Sequence, residues 1–181
     1  MNKDTGRRMM ILRPASLSDA ENLAHLGRTS FCAAFAHLYR TEDLGIFLDQ
    51  AYSVEAVAAE IADPAVTHRL AQDSEDGALT GFVKIKQPSG YEELSDAANP
   101  LGLGQLYCDP DRIGEGIGGA LMEWALAEAR TRQCDAIQLS VWSENFGAQR
   151  FYARYGFTKI ADIDFWVGLH RDDEFLYELR L

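Results

Sequence analysis

Two short stretches hold residue types whose spacing suits chemistry. In Arg112-Ile113-Gly114-Glu115-Gly116-Ile117-Gly118-Gly119, four glycines fall within six residues, between a segment patterned as a strand and one patterned as a helix. A helix start leaves backbone N–H groups without partners and carries positive potential, so such a turn can hold an anion. Glycines at positive φ would gather successive amides into one concavity, and their missing side chains would let a diphosphate come close. The second stretch is Asn145, Ala148 and Tyr152, at i, i+3 and i+7, which is one face of a helix. Asn145 also suits an N-cap, and Tyr152 a half-buried core aromatic.

Gly114, Gly116 and Gly119 spell GxGxxG, a dinucleotide-binding fingerprint. That fingerprint opens the turn directly after a strand near the start of a doubly wound domain. Here residues 109–113 intervene, and too little chain follows Gly119 for six strands. A phosphate loop is excluded, because no Gly-Lys-Ser or Gly-Lys-Thr follows. Cys32, Cys108 and Cys134 are scattered, without a CxxC pair or histidine spacing. They read as free thiols of a reducing cytoplasm, and no metal site is expected.

The elements that must position these residues follow from the apolar pattern. A strand over residues 9–13 stops at Pro14, and Ser18-Asp19-Ala20-Glu21 has capping-box spacing, so a helix is expected to begin near Asp19. A second helix follows Thr41, and a third, short one runs from Ser53 until Pro64 ends it. Residues 67–72 and 79–86 read as a hairpin across a turn-rich 73–77, and the unpatterned acidic stretch 88–100 is expected to be a mobile loop. Then come a strand at 103–108, the glycine turn, a helix at 115–132, a strand at 136–142, a helix at 145–155 closed by Gly156, and strands near 157–161 and 175–179. The strand-helix-strand unit predicts one parallel pair with a right-handed crossover; the hairpin and tail are antiparallel, so the sheet is mixed.

At 181 residues, with 47% apolar and 25% charged, the chain suits one compact domain. Its net charge of −11 removes any general attraction to nucleic acid or an anionic membrane. The acidity serves solubility or draws in a cationic substrate. After Arg7 and Arg8 the apolar run reaches only to Leu12, far short of a signal peptide or membrane span, so a cytoplasmic protein is expected.

Three segments in order carry a resemblance: Leu106 to Pro110 (LYCDP), the glycine turn with Ala120-Leu121-Met122, and Asn145 to Phe157 (NFGAQRFYARYGF). Together they resemble the GNAT N-acetyltransferase superfamily, and the order of elements from Met9 to Leu179 is similar as well. Ser30-Phe31 to Tyr39, Glu42-Asp43-Leu44, Val141 to Asn145 and Asp164 to Gly168 followed by Asp173 are similar to bacterial spermidine/spermine acetyltransferases of the PaiA type. The resemblance implies an α/β acyl-CoA N-acyltransferase fold, a central mixed sheet flanked by helices in the order β-α-α-β-β-β-α-β-α-β-β. It implies acetyl-CoA as donor, with the diphosphate on Ile113, Gly114, Glu115, Gly116, Ile117, Gly118 and Gly119. The pantetheine arm would pair with Leu106, Tyr107 and Cys108, with Asn145, Ala148 and Tyr152 beside the arm and thiol. The superfamily usually has Gln or Arg where this chain has Ile113, so one side-chain contact is lost while the backbone anion site stays. Asp109, Asp111 and Glu115 would oppose the cofactor unless they point away.

The resemblance further implies Tyr152 as the acid for the departing thiolate and an amide near Cys108 as the oxyanion donor. Cys108 is not read as a nucleophile, having no histidine partner. Phe31, Phe35, Tyr39 and Glu93 would line an acceptor pocket between the first helices, the 88–100 loop and a turn at 162–166; Phe31 and Phe35 also suit ordinary core packing. An amine of pKa about 10.4 is neutral roughly once in 2,500 molecules at pH 7, so deprotonation costs about 4.6 kcal/mol, a task within reach of a general base. Glu92, Glu93, Glu144, Asp164 and His37 are the candidates. The acceptor expected is a polyamine or another small cationic amine, with a peptide N-terminus or lysine as the alternative, and a homodimer is left open. Two other readings are a nicotinamide oxidoreductase with Glu144 on the ribose and a non-catalytic coenzyme A sensor.

Overall fold

The computed structural model describes residues 10–181. Met9, with which the first expected strand begins, lies outside the described residues, as do Arg7 and Arg8. The elements run β1 (Ile11–Pro14), α1 (Ala20–Phe35), α2 (Thr41–Tyr52), α3 (Val54–Ala62), β2 (Val66–Gln72), β3 (Leu79–Lys86), β4 (Pro100–Cys108), α4 (Ile117–Thr131), β5 (Ala136–Trp142), α5 (Phe146–Ala153), β6 (Thr158–Val167) and β7 (His170–Arg180). One sheet has the order β1-β2-β3-β4-β5-β7-β6. Its only parallel neighbours among the described residues are β4 and β5; all other pairs are antiparallel. The mixed α/β sheet flanked by helices is therefore the architecture found.

Each face of the sheet has its own core. On one side Leu121, Met122 and Ala125 of α4 pack against Val83, Ile85, Leu101 and Leu139, all with no exposed surface. On the other, Leu23, Leu26 and Val57 meet Leu70 and Phe82, and beside them Phe31, Leu48, Tyr52 and Val167 form a third cluster. Alternation along β7 explains how one strand serves both faces: Phe175, Tyr177 and Leu179 join the α4 core, and the even-numbered residues face the other way.

Several local expectations change. The capping box uses Ser16 and Asp19, not Ser18 and Glu21: the Asp19 carboxylate accepts from the Ser16 amide (2.8 Å) and from two Arg13 nitrogens (2.7 and 2.8 Å). Arg13 at the end of β1 fixes that choice, and a turn of 3₁₀ helix over Leu17–Asp19 precedes α1. The 88–100 stretch is shorter as a loop than expected, because β4 already begins at Pro100. It is also anchored: Ser89 donates to Gln138 (2.5 Å), Ser95 to Glu178 (2.5 Å), and the Ala98 and Asn99 amides to Asp135 (2.6 and 2.9 Å). Instead of two short final strands, β6 and β7 form one long hairpin around Gly168 and Leu169. The expected turn at 162–166 is strand. Acids disfavour strands in isolation, but Arg171 bonds Asp164 across the pair (2.7 Å) and Asp173 along its own strand (3.0 Å).

Candidate active site

The cleft originates in a strand pair that comes apart. Among the described residues, β4 and β5 pair only at Pro100/Ala136, Leu101/Ile137 and Gly102/Gln138. The β3–β4 register then slips around Gly104, where Lys84 pairs with Gln105 but Ile85 with Leu103. Such a bulge increases local twist and turns the strand away from its neighbour. Beyond it, the Asp109 amide donates to the Thr80 carbonyl (2.9 Å), so the hydrogen-bonded partners of β3 alternate as Asp109, Tyr107 and Gln105. By the same alternation the amides of Leu106 and Cys108 face the gap toward β5. A chain with amide groups of its own can complete this open edge.

The glycine turn lies at the end of that gap. Gly114 (φ 89°) and Gly116 (φ 84°) hold left-handed backbone, and Gly116 is the N-cap of α4. The first helical bond runs from the Ala120 amide to the Gly116 carbonyl (3.1 Å), so the amides of Ile117, Gly118 and Gly119 have no helical acceptor. A Cβ at Gly114 or Gly116 would meet nothing within 4 Å, so the concavity in front of the turn is open. Open edge and turn belong to one cavity of about 930 Å³. Leu106, Tyr107, Cys108, Ile113, Gly114, Gly116, Ile117, Gly118, Gly119, Asn145, Ala148 and Tyr152 all line it, together with Arg112 and Arg154.

Of the residues expected to bind the cofactor, Glu115 does not line the cavity. Its carboxylate is held by Arg112 (2.6 Å), which also grips Asp73 through two nitrogens (2.9 and 3.1 Å), and its amide donates to the Arg112 carbonyl. Arg112 thus offsets the acidic side chains around the turn, while Asp109 caps the amide of Asp111 (3.0 Å). Ile113, the departure from the family pattern, is 76% exposed on the cavity rim. Asn145 is the N-cap of α5, its Oδ1 accepting the Ala148 amide (3.1 Å), and it also lines the cavity.

Tyr152 is 9% exposed, with its ring at the cavity wall. Burial, then the neighbouring Tyr107 and Cys108, raise its pKa, so the phenol keeps its proton at neutral pH. Burial pushes the Cys108 thiol up to about 11, with Asp109 adding to the rise and the Gly118 amide opposing it. A thiol so protonated is a poor nucleophile.

A smaller cavity of about 130 Å³ adjoins the cleft, sharing Phe35, Gly104, Gln105, Tyr107, Ser140 and Trp142 with it. Phe31, Phe35 and Tyr39 line it, α2 adds Phe47 and Tyr52, and β6 adds Phe165. Glu93 lines neither cavity; it lies on an exposed 3₁₀ turn of the anchored loop. The other candidate bases are also elsewhere. Glu92 accepts from the Gly90 amide, Asp164 pairs with Arg171, and Glu144 and His37 are exposed outside both cavities. The carboxylate that does line the small cavity is Glu174, which the sequence reading missed along with Ser140 and Arg154. The signal was the period of two in β7, which puts Glu174 on the same face as buried Asp172 and Leu176.

Among the described residues no group of three His, Cys, Asp or Glu is placed to hold a metal, and no helix is long and apolar enough to cross a membrane. The chain is 27% identical over 153 residues to the spermidine N(1)-acetyltransferase of Thermoplasma acidophilum, covering 84% of this chain and 90% of the relative. The crystal structure of PaiA N-acetyltransferase from that organism in complex with coenzyme A superposes with a TM-score of 0.76 at 23% identity, over 95% of this chain and 99% of that one. Salmonella typhimurium yncA, solved with its cofactor acetyl-CoA, gives 0.69 at 18% identity, over 95% and 94% of the two chains. Residues 32–157 match the acetyltransferase (GNAT) family, and with well over half of its length so matched, the chain belongs to that family.

Proposed function

We propose that this protein transfers the acetyl group of acetyl-CoA to a small cationic amine, by direct attack of the amine nitrogen on the thioester. The observation that carries this reading is the continuity of one cleft: an unpaired β4 edge, then a helix N-terminus opened by left-handed glycines, with a protonated phenol in the same wall. Backbone amides of Ile117 and Gly119 would hold the diphosphate, aided by Arg154, while Arg112 neutralises the acids beside the turn, and the Leu106–Cys108 edge would order the pantetheine amides. Bound there, the thioester supplies an activated acyl carbon. The Cys108 amide donates to the oxygen on which charge develops, and Tyr152 gives its proton to the departing sulfur. The aromatic walls beside the cleft and the net charge of −11 favour a cationic acceptor over an anionic one. Likeness to the spermidine acetyltransferase of T. acidophilum supports a polyamine as the first acceptor to try.

A thiol-release assay with acetyl-CoA and a panel of spermidine, lysine, aminoglycosides and short peptides tests this reading, with calorimetry of coenzyme A binding alongside. Turnover led by spermidine or another alkyl polyamine is the expected result. Selective acetylation of peptides would overturn the acceptor assignment. Failure to bind coenzyme A would overturn the donor assignment as well.

A further inference from the structure

Glu174 is the group in this molecule with the least explained placement. It stands on β7 opposite Trp142 of β5 and Ile163 of β6, and its side chain enters the 130 Å³ cavity from the sheet side. Its Oε2 is buried and has no hydrogen-bond partner. The Ser140 hydroxyl bonds to the carboxyl group, and the titratable groups that face it are the phenols of Tyr39, Tyr91 and Tyr107 and the Asp172 carboxylate. Among the described residues, no Lys or Arg lines the cavity. Asp172, two residues away on the same face, is already engaged by the Tyr39 hydroxyl (2.5 Å) and by His170 (3.2 Å). An orphaned carboxylate oxygen in an aromatic box is costly unless a cation comes to it.

We propose that this cavity receives the acceptor, a primary alkylammonium on a slender unbranched arm, and that Glu174 is the base that binds its nitrogen and removes its proton. The inference rests on the acetyl-transfer reading above and names the residue and acceptor class within it. An engineered dry cavity of about 150 Å³ accommodates benzene, so 130 Å³ admits about five non-hydrogen atoms, the size of an aminobutyl arm. The aromatic walls suit its methylenes and its charge together. An α-amino acid would bring its own carboxylate beside Glu174 and Asp172, and like charges in a desolvated box repel. The ammonium gives one proton to the Glu174 carboxylate, and the freed lone pair forms the C–N bond as the C–S bond breaks. The sulfur leaves with its electron pair and takes the Tyr152 proton, and the second nitrogen proton passes to solvent as the phenol is reprotonated. Burial, with Asp172 adding to it, raises the Glu174 pKa, which brings the carboxylate closer to a proton acceptor suited to neutral pH.

The test compares Glu174→Gln and Glu174→Asp with the native enzyme on two amines, n-butylamine, which is protonated at pH 7, and trifluoroethylamine, which is largely neutral there. Coenzyme A titrations and melting curves run on the same preparations. The Gln variant is expected to bind coenzyme A within about twofold of native and to lose at least about 100-fold in kcat/KM on n-butylamine. On trifluoroethylamine, which reaches the site already neutral and needs no deprotonation before it attacks, it should lose less than about tenfold. Its remaining n-butylamine rate should climb about tenfold per pH unit between pH 7 and 9, as free amine appears. The Asp variant should recover part of the loss. Equal losses on both amines, or no loss on either, would overturn the role of Glu174. Native enzyme that binds coenzyme A and acetylates peptides but no alkylamine would overturn the pocket assignment, while absence of coenzyme A binding by native enzyme would instead refute the donor site.

Discussion

Gly116 gives a sharp test of the diphosphate site, because asparagine and aspartate placed there differ by little more than one charge. The residue caps α4 at φ 84°, and a Cβ built on it meets nothing within 4 Å, so either side chain would project into the concavity before the helix. Left-handed backbone costs a non-glycine residue about 1 kcal/mol, a penalty the two variants share. A carboxylate about 5 Å from a unit phosphate charge feels repulsion of about 3 kcal/mol at an effective dielectric of about 20, and about 0.8 kcal/mol in bulk water. The turn is open to solvent and the diphosphate carries two charges, so the sum lies at about 1.5–3 kcal/mol, or about 10–150-fold in Kd. Isothermal titration of coenzyme A into Gly116→Asn and Gly116→Asp should therefore show the Asp variant weaker by that factor, with the gap narrowing as salt rises. Their melting temperatures should fall together. Equal affinities for the two variants, or native affinity in both, would mean that the anion is held elsewhere.

Tyr152→Phe should lower kcat by about 10 to 1,000-fold while coenzyme A affinity stays within a few-fold, since the ring keeps its place in the wall and only the proton donor is lost; an unchanged kcat in steady-state assays would remove the acid role. Asp19 tests the N-terminal corner of the fold. Arg13 holds its carboxyl at about 2, below the usual 3.8, so the ion adds stability that is fully present above about pH 4 and is lost as pH falls toward 2. Urea unfolding of Asp19→Asn should show a deficit of about 2 kcal/mol at pH 7 that shrinks toward zero by pH 2, and a deficit independent of pH would rule out the ion pair as its source.

Legibility followed the range of the interactions involved. The helix beginning after the glycine turn, the cap at Asn145 and the stop at Gly156 were readable because each depends on neighbours within about four residues, and the hairpin of β2 and β3 because turn residues at 73–77 separate two strand-patterned runs. The ends of the chain read less well. β6 and β7 look short because Asp162, Asp164, Asp172 and Asp173 interrupt the apolar pattern, and side-chain partners make those acids tolerable in a sheet: Lys159 for Asp162, Arg171 for Asp164 and Asp173, and Tyr39 for Asp172. The 88–100 segment looked mobile because its serines and acids have no pattern of their own. The partners of this segment, Gln138 on β5, Glu178 on β7 and Asp135 in the bend before β5, lie more than 35 residues away.

The amino-acid order by itself determined the glycine turn at the start of α4, since glycine's backbone freedom and the helix start are local properties, and it determined which face of each element is apolar. It could not determine what stands across a gap. The cleft exists because β4, twisted at the Gly104 bulge, parts from β5 after three residue pairs, and that depends on how two strands joined through α4 diverge in space. The same reason hid Glu174: its charge is visible in the sequence, but its isolation among rings from α1, α2, β4 and β6 arises only when those elements are packed around it.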